Sequence, residues 1–109
     1  MNLIGRDELK EKIDRGDEFK LVMALGEWAF RAKHIPGSIN MSSPDQCRRM
    51  LSLEDEIVVY CSDEACVVSR MAYKILVDDG FKNVRRYPGG LSDWEDAGYQ
   101  LEGEMVDNK

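Results

Sequence analysis

In Glu56-Ile57-Val58-Val59-Tyr60 the residues after Glu56 are apolar without alternation, which predicts a strand buried on both faces, as in a parallel sheet covered by helices. Phe19 to Leu25 is rich in β-favouring residues and free of breakers, and reads as another buried strand. A very short strand is expected at the end of His34–Asn40, and one more over Asn83–Tyr87. Between these segments the apolar positions take a helical period. Val68, Met71, Ala72, Ile75 and Leu76 follow i, i+3, i+4, i+7, i+8, which predicts a helix to about Asp79 with that stripe packed on the sheet. Asp7–Arg15 reads as a short helix with Leu9 and Ile13 on one face and Gly16 as its stop. Ser43 as N-cap and Pro44 at the first helical position open a helix carrying Cys47, Met50 and Leu51 on one side. Glu27–Lys33 and Leu91–Ala97 are the remaining helices, the last of them burying Trp94.

Strand and helix alternate throughout, so the expected architecture is an α/β sandwich with a mostly parallel sheet and ligand sites at the carboxyl ends of strands. No repeat or Pro/Gly/Ser-rich linker divides the 109 residues, which read as one domain over 1–109, with a core from about 5 to 102 and a frayed tail over 103–109. Trp28, Phe30, Tyr60, Phe81 and Trp94 are expected to pack in the core or under loops.

Charge narrows the function classes. Acids outnumber bases 21 to 15, a formal net charge of −6, which opposes binding to phosphate backbones. The pair Arg85-Arg86 and the trio Arg48, Arg49 and Arg70 are too few to reverse that, and read as solvated or salt-bridged positions. The opening Met1–Asp7 lacks the form of a signal peptide, and the longest apolar runs are too short to cross a bilayer, so no membrane partner is expected. Three cysteines in such a context read as reduced thiols, pointing to a cytoplasmic protein.

The chemistry centres on Cys61, where the clearest strand ends and a loop-helix begins. Free backbone N–H groups and the helix dipole at such a place favour negative charge, and cysteine pKa values there fall from about 8.5 to roughly 3.5–7.5. A loop curled round the sulfur would present further N–H donors to a persulfide or an oxyanion. Cysteine phosphatases and arsenate reductases place an arginine six residues after the nucleophile, but here that residue is Val67 and the first arginine is Arg70. Phosphoryl chemistry is therefore disfavoured. His34, the single histidine, lies in a turn and reads as a packing residue rather than a general base. Cys47, Cys61, Cys66 and His34 have the spacing of no common zinc site, so no metal is expected.

His34-Ile35-Pro36-Gly37-Ser38-Ile39-Asn40, the strand-Cys61-loop-helix unit, Gly80-Phe81-Lys82-Asn83-Val84 and Gly89-Gly90-Leu91-Ser92-Asp93-Trp94 together resemble the single-domain rhodanese family, in its order and near its spacing. The resemblance runs from the first helix to about Glu102. It implies a rhodanese-like three-layer α/β/α sandwich with about five short strands. It also implies a sulfurtransferase in which Cys61 takes sulfane sulfur from a small donor or persulfide and yields it to a thiol or cyanide. Ser62, Asp63, Glu64, Ala65, Cys66 and Val67 would then cradle the persulfide through their N–H groups. No cofactor is called for, because sulfur itself is the transferred group.

Several residues depart from the family pattern. Met23 and Leu25 stand where an Asp and an Arg are usual, Lys33 stands where a Gly is common, and the loop after Cys61 is longer and carries Asp63 and Glu64. Two carboxylates there repel a thiosulfate dianion and oppose a thiolate. The other reading is accordingly a catalytically weak rhodanese-like module for binding a partner protein or sensing redox state. Cys66 has two readings as well: it meets Cys61 in a curled loop and takes part in sulfur or redox chemistry, or it packs as a small apolar residue. Ser69 and Arg70 are auxiliary candidates, one to orient the loop and the other to add positive potential, or else ordinary helix-surface residues. Cys47 reads as packing alone.

Overall fold

A computed structural model describes residues 1–63 and 65–106. The elements run α1 (Arg6–Arg15), β1 (Lys20–Met23), α2 (Glu27–Ala32), β2 (Ile39–Asn40), α3 (Pro44–Met50), β3 (Glu56–Tyr60), α4 (Val68–Asp78), β4 (Asn83–Arg86) and α5 (Gly90–Asp96). The sheet has the order β2-β1-β3-β4 and every pairing in it is parallel. Among the described residues four strands form where about five were expected. The position beside β4 is held by one parallel bridge between Leu3 and Arg86, closed by Ile4 N–H to Arg86 O (3.0 Å) and Arg86 N–H to Asn2 O (2.9 Å). Gly5 is already the N-cap of α1, so the chain turns away before a ladder can extend.

The two apolar faces follow from strand alternation. Leu21, Met23, Val58 and Tyr60 face one side, with Leu9 of α1 and Trp94 of α5; Val22, Ile57, Val59 and Val84 face the other, with Cys47 of α3 and Leu76 of α4. Ser43 caps α3 by accepting from Gln46 N–H at 3.3 Å, with Pro44 at the first helical position. Three layers result, as the resemblance implies.

Three expectations are corrected. The α4 stripe is buried only in part: Leu76 is covered, but Val68 is 42% and Met71 59% exposed. These two line an apolar cavity of about 230 Å³ together with Met41, Pro44 and Cys47. Trp28 is 79% exposed, since α2 is a six-residue helix that buries none of its own residues. The segment Gly103–Val106 is tied down rather than frayed: Glu104 N–H donates to Arg31 O (2.8 Å) and Met105 N–H to Ala32 O (3.0 Å). Residues 107–109 of the expected tail lie outside the described residues.

Tyr60 joins β3 to the His34–Asn40 turn. Its hydroxyl accepts from Ile35 N–H at 3.0 Å and lies 2.9 Å from Ser38 Oγ, which itself donates to Ile35 O at 2.6 Å. With the serine proton so placed, the phenol must donate to Ser38. Burial pushes this phenol from 10.0 up to about 12. A raised folded pKa stabilises fully below the unfolded value and is lost as pH rises through the folded one. Stability is therefore expected to fall by about 2–3 kcal/mol between roughly pH 10 and 12. Denaturant midpoints across that range measure it, and Tyr60→Phe should flatten the fall; Tyr87, also raised by burial, leaves a remainder.

Candidate functional site

Cys61 follows directly on β3 and is 1% exposed. Two backbone hydrogen bonds fix it and its neighbour from outside the loop. Leu91 N–H donates to Cys61 O at 2.9 Å, and Ser92 N–H to Ser62 O at 2.8 Å, both from the first turn of α5. That close docking explains Gly90, whose φ is +64°: a Cβ there would stand 2.5 Å from Cys61 O and 3.0 Å from the Ser62 carbonyl carbon. Tyr87 and Arg6 hold α5 in turn, the phenol donating to Asp93 Oδ2 (2.6 Å) and the guanidinium to Oδ1 (2.9 Å).

Beyond Cys61 the chain doubles back. Ala65 N–H donates to Asp63 Oδ1 at 3.0 Å and Cys66 N–H to Asp63 O at 3.1 Å, a side-chain-supported turn of the kind Asp favours. It returns Cys66 to Cys61, and the two are joined as a disulfide with Cα atoms 6.5 Å apart. The sequence left the place of Cys66 open between meeting Cys61 and packing alone; the structure brings the sulfurs together. It does not assemble the whole expected cradle. The N–H groups of Ala65 and Cys66 serve Asp63 and not the sulfur, because the turn that brings Cys66 home consumes them. Asp63 is accordingly a loop-building residue as well as a charge. Val67 and Arg70 are exposed at the start of α4, and Glu64 lies outside the described residues.

On its inner side Cys61 meets a polar chain. Its Sγ lies 3.3 Å from Ser69 Oγ, and Arg86 Nε–H donates to that oxygen at 2.9 Å. Since the arginine occupies an acceptor site of the hydroxyl, the serine proton remains available to the sulfur. Ser69 is buried and Arg86 is 3% exposed, so the guanidinium acts in a medium where charge is weakly screened. Arg86 was read as solvated or salt-bridged, and its burial corrects the solvated reading. The available signal was period two: Arg86 shares the face of Val84, whereas Arg85 points oppositely and pairs with Glu8 at 2.6 Å.

The remaining candidates stand apart. His34 Nδ1 lies 2.7 Å from Phe30 O, so that nitrogen carries the proton; the ring stacks on Phe30 with centroids 4.0 Å apart, and Nε2 faces Glu102. Cys47 is buried against α4, and desolvation raises its thiol pKa. Among the described residues no three His, Cys, Asp or Glu side chains converge as a metal site.

The rhodanese-like domain model matches residues 5–97. The chain belongs to the rhodanese-like domain family. Solved rhodanese-like structures share its fold. The rhodanese-like domain of the Alr3790 protein from Anabaena sp. superimposes with a TM-score of 0.87 at 23% identity, covering 100% of this chain and 84% of that one. A crystal structure of the same Anabaena protein gives 0.83 at 25% identity, over 94% of each chain. The BH2092 protein from Bacillus halodurans gives 0.84 at 24%, over 98% and 85%. Among curated proteins, the HTH-type transcriptional regulator Rv0324 of Mycobacterium tuberculosis is 33% identical over 101 residues, 91% of this chain. The chain spans 44% of that regulator's length.

Proposed function

We propose that this rhodanese-like domain is a sulfurtransferase that carries sulfane sulfur as a persulfide on Cys61 and passes it to a thiol or cyanide. The observation that supports this best is the buried sulfur at the end of β3, facing a serine hydroxyl that is itself held by a buried arginine. When the thiol is reduced, that chain favours the thiolate, which is the attacking form. The thiolate takes the outer sulfur of a donor, whose remainder leaves as a thiolate or sulfite. Sulfur is the cargo, so the residues need no organic cofactor. Among the described residues no helix is long and apolar enough to cross a membrane.

A second reading has its own support. The Cys61–Cys66 disulfide and the similarity to a transcriptional regulator favour a redox- or sulfur-sensing module that reports to a partner protein. Incubating reduced protein with thiosulfate, polysulfide or glutathione persulfide and weighing it intact separates the two. The expected result is a gain of one sulfur that Cys61→Ser abolishes, with thiosulfate the poorest donor because of the exposed Asp63. No gain from any donor, with no sulfide released, rejects the carrier and leaves the sensor.

A further inference from the structure

We propose that Cys66 is a second catalytic residue, the internal thiol that resolves a Cys61 persulfide and releases its outer sulfur as sulfide. This rests on the carrier reading of Cys61 and names the acceptor at that same site.

The two sulfurs are already within bonding reach, and the frame that puts them there is specific. Cys61 is anchored by β3 and by the N–H of Leu91; Cys66 is swung back by two hydrogen bonds to Asp63. A persulfide on Cys61 therefore has a thiol beside it without any diffusional encounter, whereas an external thiol has to approach a residue that is 1% exposed. In the step, the Cys66 thiolate attacks Cys61 Sγ, a Cys61–Cys66 bond forms, and the bond from Sγ to the outer sulfur breaks. The outer sulfur leaves with the electron pair as HS⁻. The sulfane sulfur is reduced to sulfide and the two cysteines, together a dithiol, are oxidised to the disulfide. That product is the bond present in the structure.

Asymmetric burial also orders the reset. Cys66 is half-buried and Cys61 buried, so an incoming low-molecular-mass thiol or dithiol protein meets Cys66 Sγ first. Attack there expels Cys61 as the thiolate, toward the hydroxyl of Ser69. A better-stabilised leaving thiolate leaves faster. A second thiol equivalent then frees Cys66. The domain would thus convert persulfide and two external thiols into sulfide, a thiol and an external disulfide.

The test loads reduced wild-type and Cys66→Ser protein with glutathione persulfide under anaerobic conditions, removes the donor, and follows intact mass and trapped sulfide. Wild type should lose its extra sulfur at a rate independent of protein concentration, release one sulfide per chain, and end lighter by two thiol hydrogens with Cys61 linked to Cys66 in peptide maps. Cys66→Ser should hold its persulfide about tenfold longer or more, and release sulfide only when a thiol is added. Equal persulfide lifetimes in the two proteins would overturn the role of Cys66 while leaving Cys61 a carrier. Absence of sulfur uptake in both proteins, with no sulfide released, would overturn the carrier reading and this one together.

Discussion

Gly90→Ala should destabilise the protein by roughly 2–5 kcal/mol and release the loop that carries Cys61 from α5. The position combines two penalties. A φ of +64° is left-handed backbone that an L side chain enters only at a cost, and the added methyl would meet Cys61 O and the Ser62 carbonyl carbon closer than real contacts allow. Backbone must move, and the backbone in question is the one that positions the sulfur. Thermal denaturation should show a drop of roughly 10 °C or more. Sulfur loading by intact mass should fall with it even at temperatures where the variant is folded. Gly5→Ala is the control: Gly5 caps α1 with φ −87° and has open space around its Cβ position, so it should be near neutral.

Arg86→Met should slow the reaction of Cys61 with iodoacetamide about tenfold near neutral pH and move its pH–rate profile up by about one unit. The measurement belongs in a Cys66→Ser background, where the disulfide cannot form. Arg86 acts through Ser69, whose Oγ it holds so that the hydroxyl proton faces Cys61. It is a positioning residue. A merely structural role would lower stability without shifting the profile, and Arg86→Lys should restore part of the shift because charge is kept while the guanidinium fork is lost. Cys47 contributes little background, being buried with its thiol pushed up.

These two residues also mark what could be read from the sequence. Gly90 was legible as part of a Gly-Gly pair, and the strand before Cys61 was legible because Ile57–Tyr60 are apolar without alternation and β-favouring, as in a doubly covered strand. The alternating faces of β1 and β3 then decided which helices lie on which side. Arg86 was not legible from charge, since an arginine beside another arginine resembles a solvated pair until strand alternation assigns them opposite faces. Trp28 failed for the complementary reason: an aromatic residue suggests core, but a six-residue helix next to a turn has too little contact area to bury it. The stripe on α4 was read correctly in period and too generously in extent, because periodicity says which residues share a face and not how far the neighbouring layer reaches. Asp63 looked like a charge opposing the thiolate. Its hydrogen bonds to Ala65 and Cys66 depend on a turn that only the return of the chain toward Cys61 makes visible.

The strand order has a consequence for how the molecule is made. β1 has only a two-residue pairing with β2, and its full four-residue ladder is with β3, far along the chain. Among the described residues β3 is also the sole ladder partner of β4. Pairings between such distant segments have to overcome loop-closure entropy before they gain any stability, which slows folding. Before β3 is in place, the helices preceding it have only the short β1–β2 pair to lie against. The strand that ends beside Cys61 is thus the one that joins the early β1–β2 pair to β4, and the groups that enclose Cys61, Ser69, Arg86 and Leu91, all follow it in the chain.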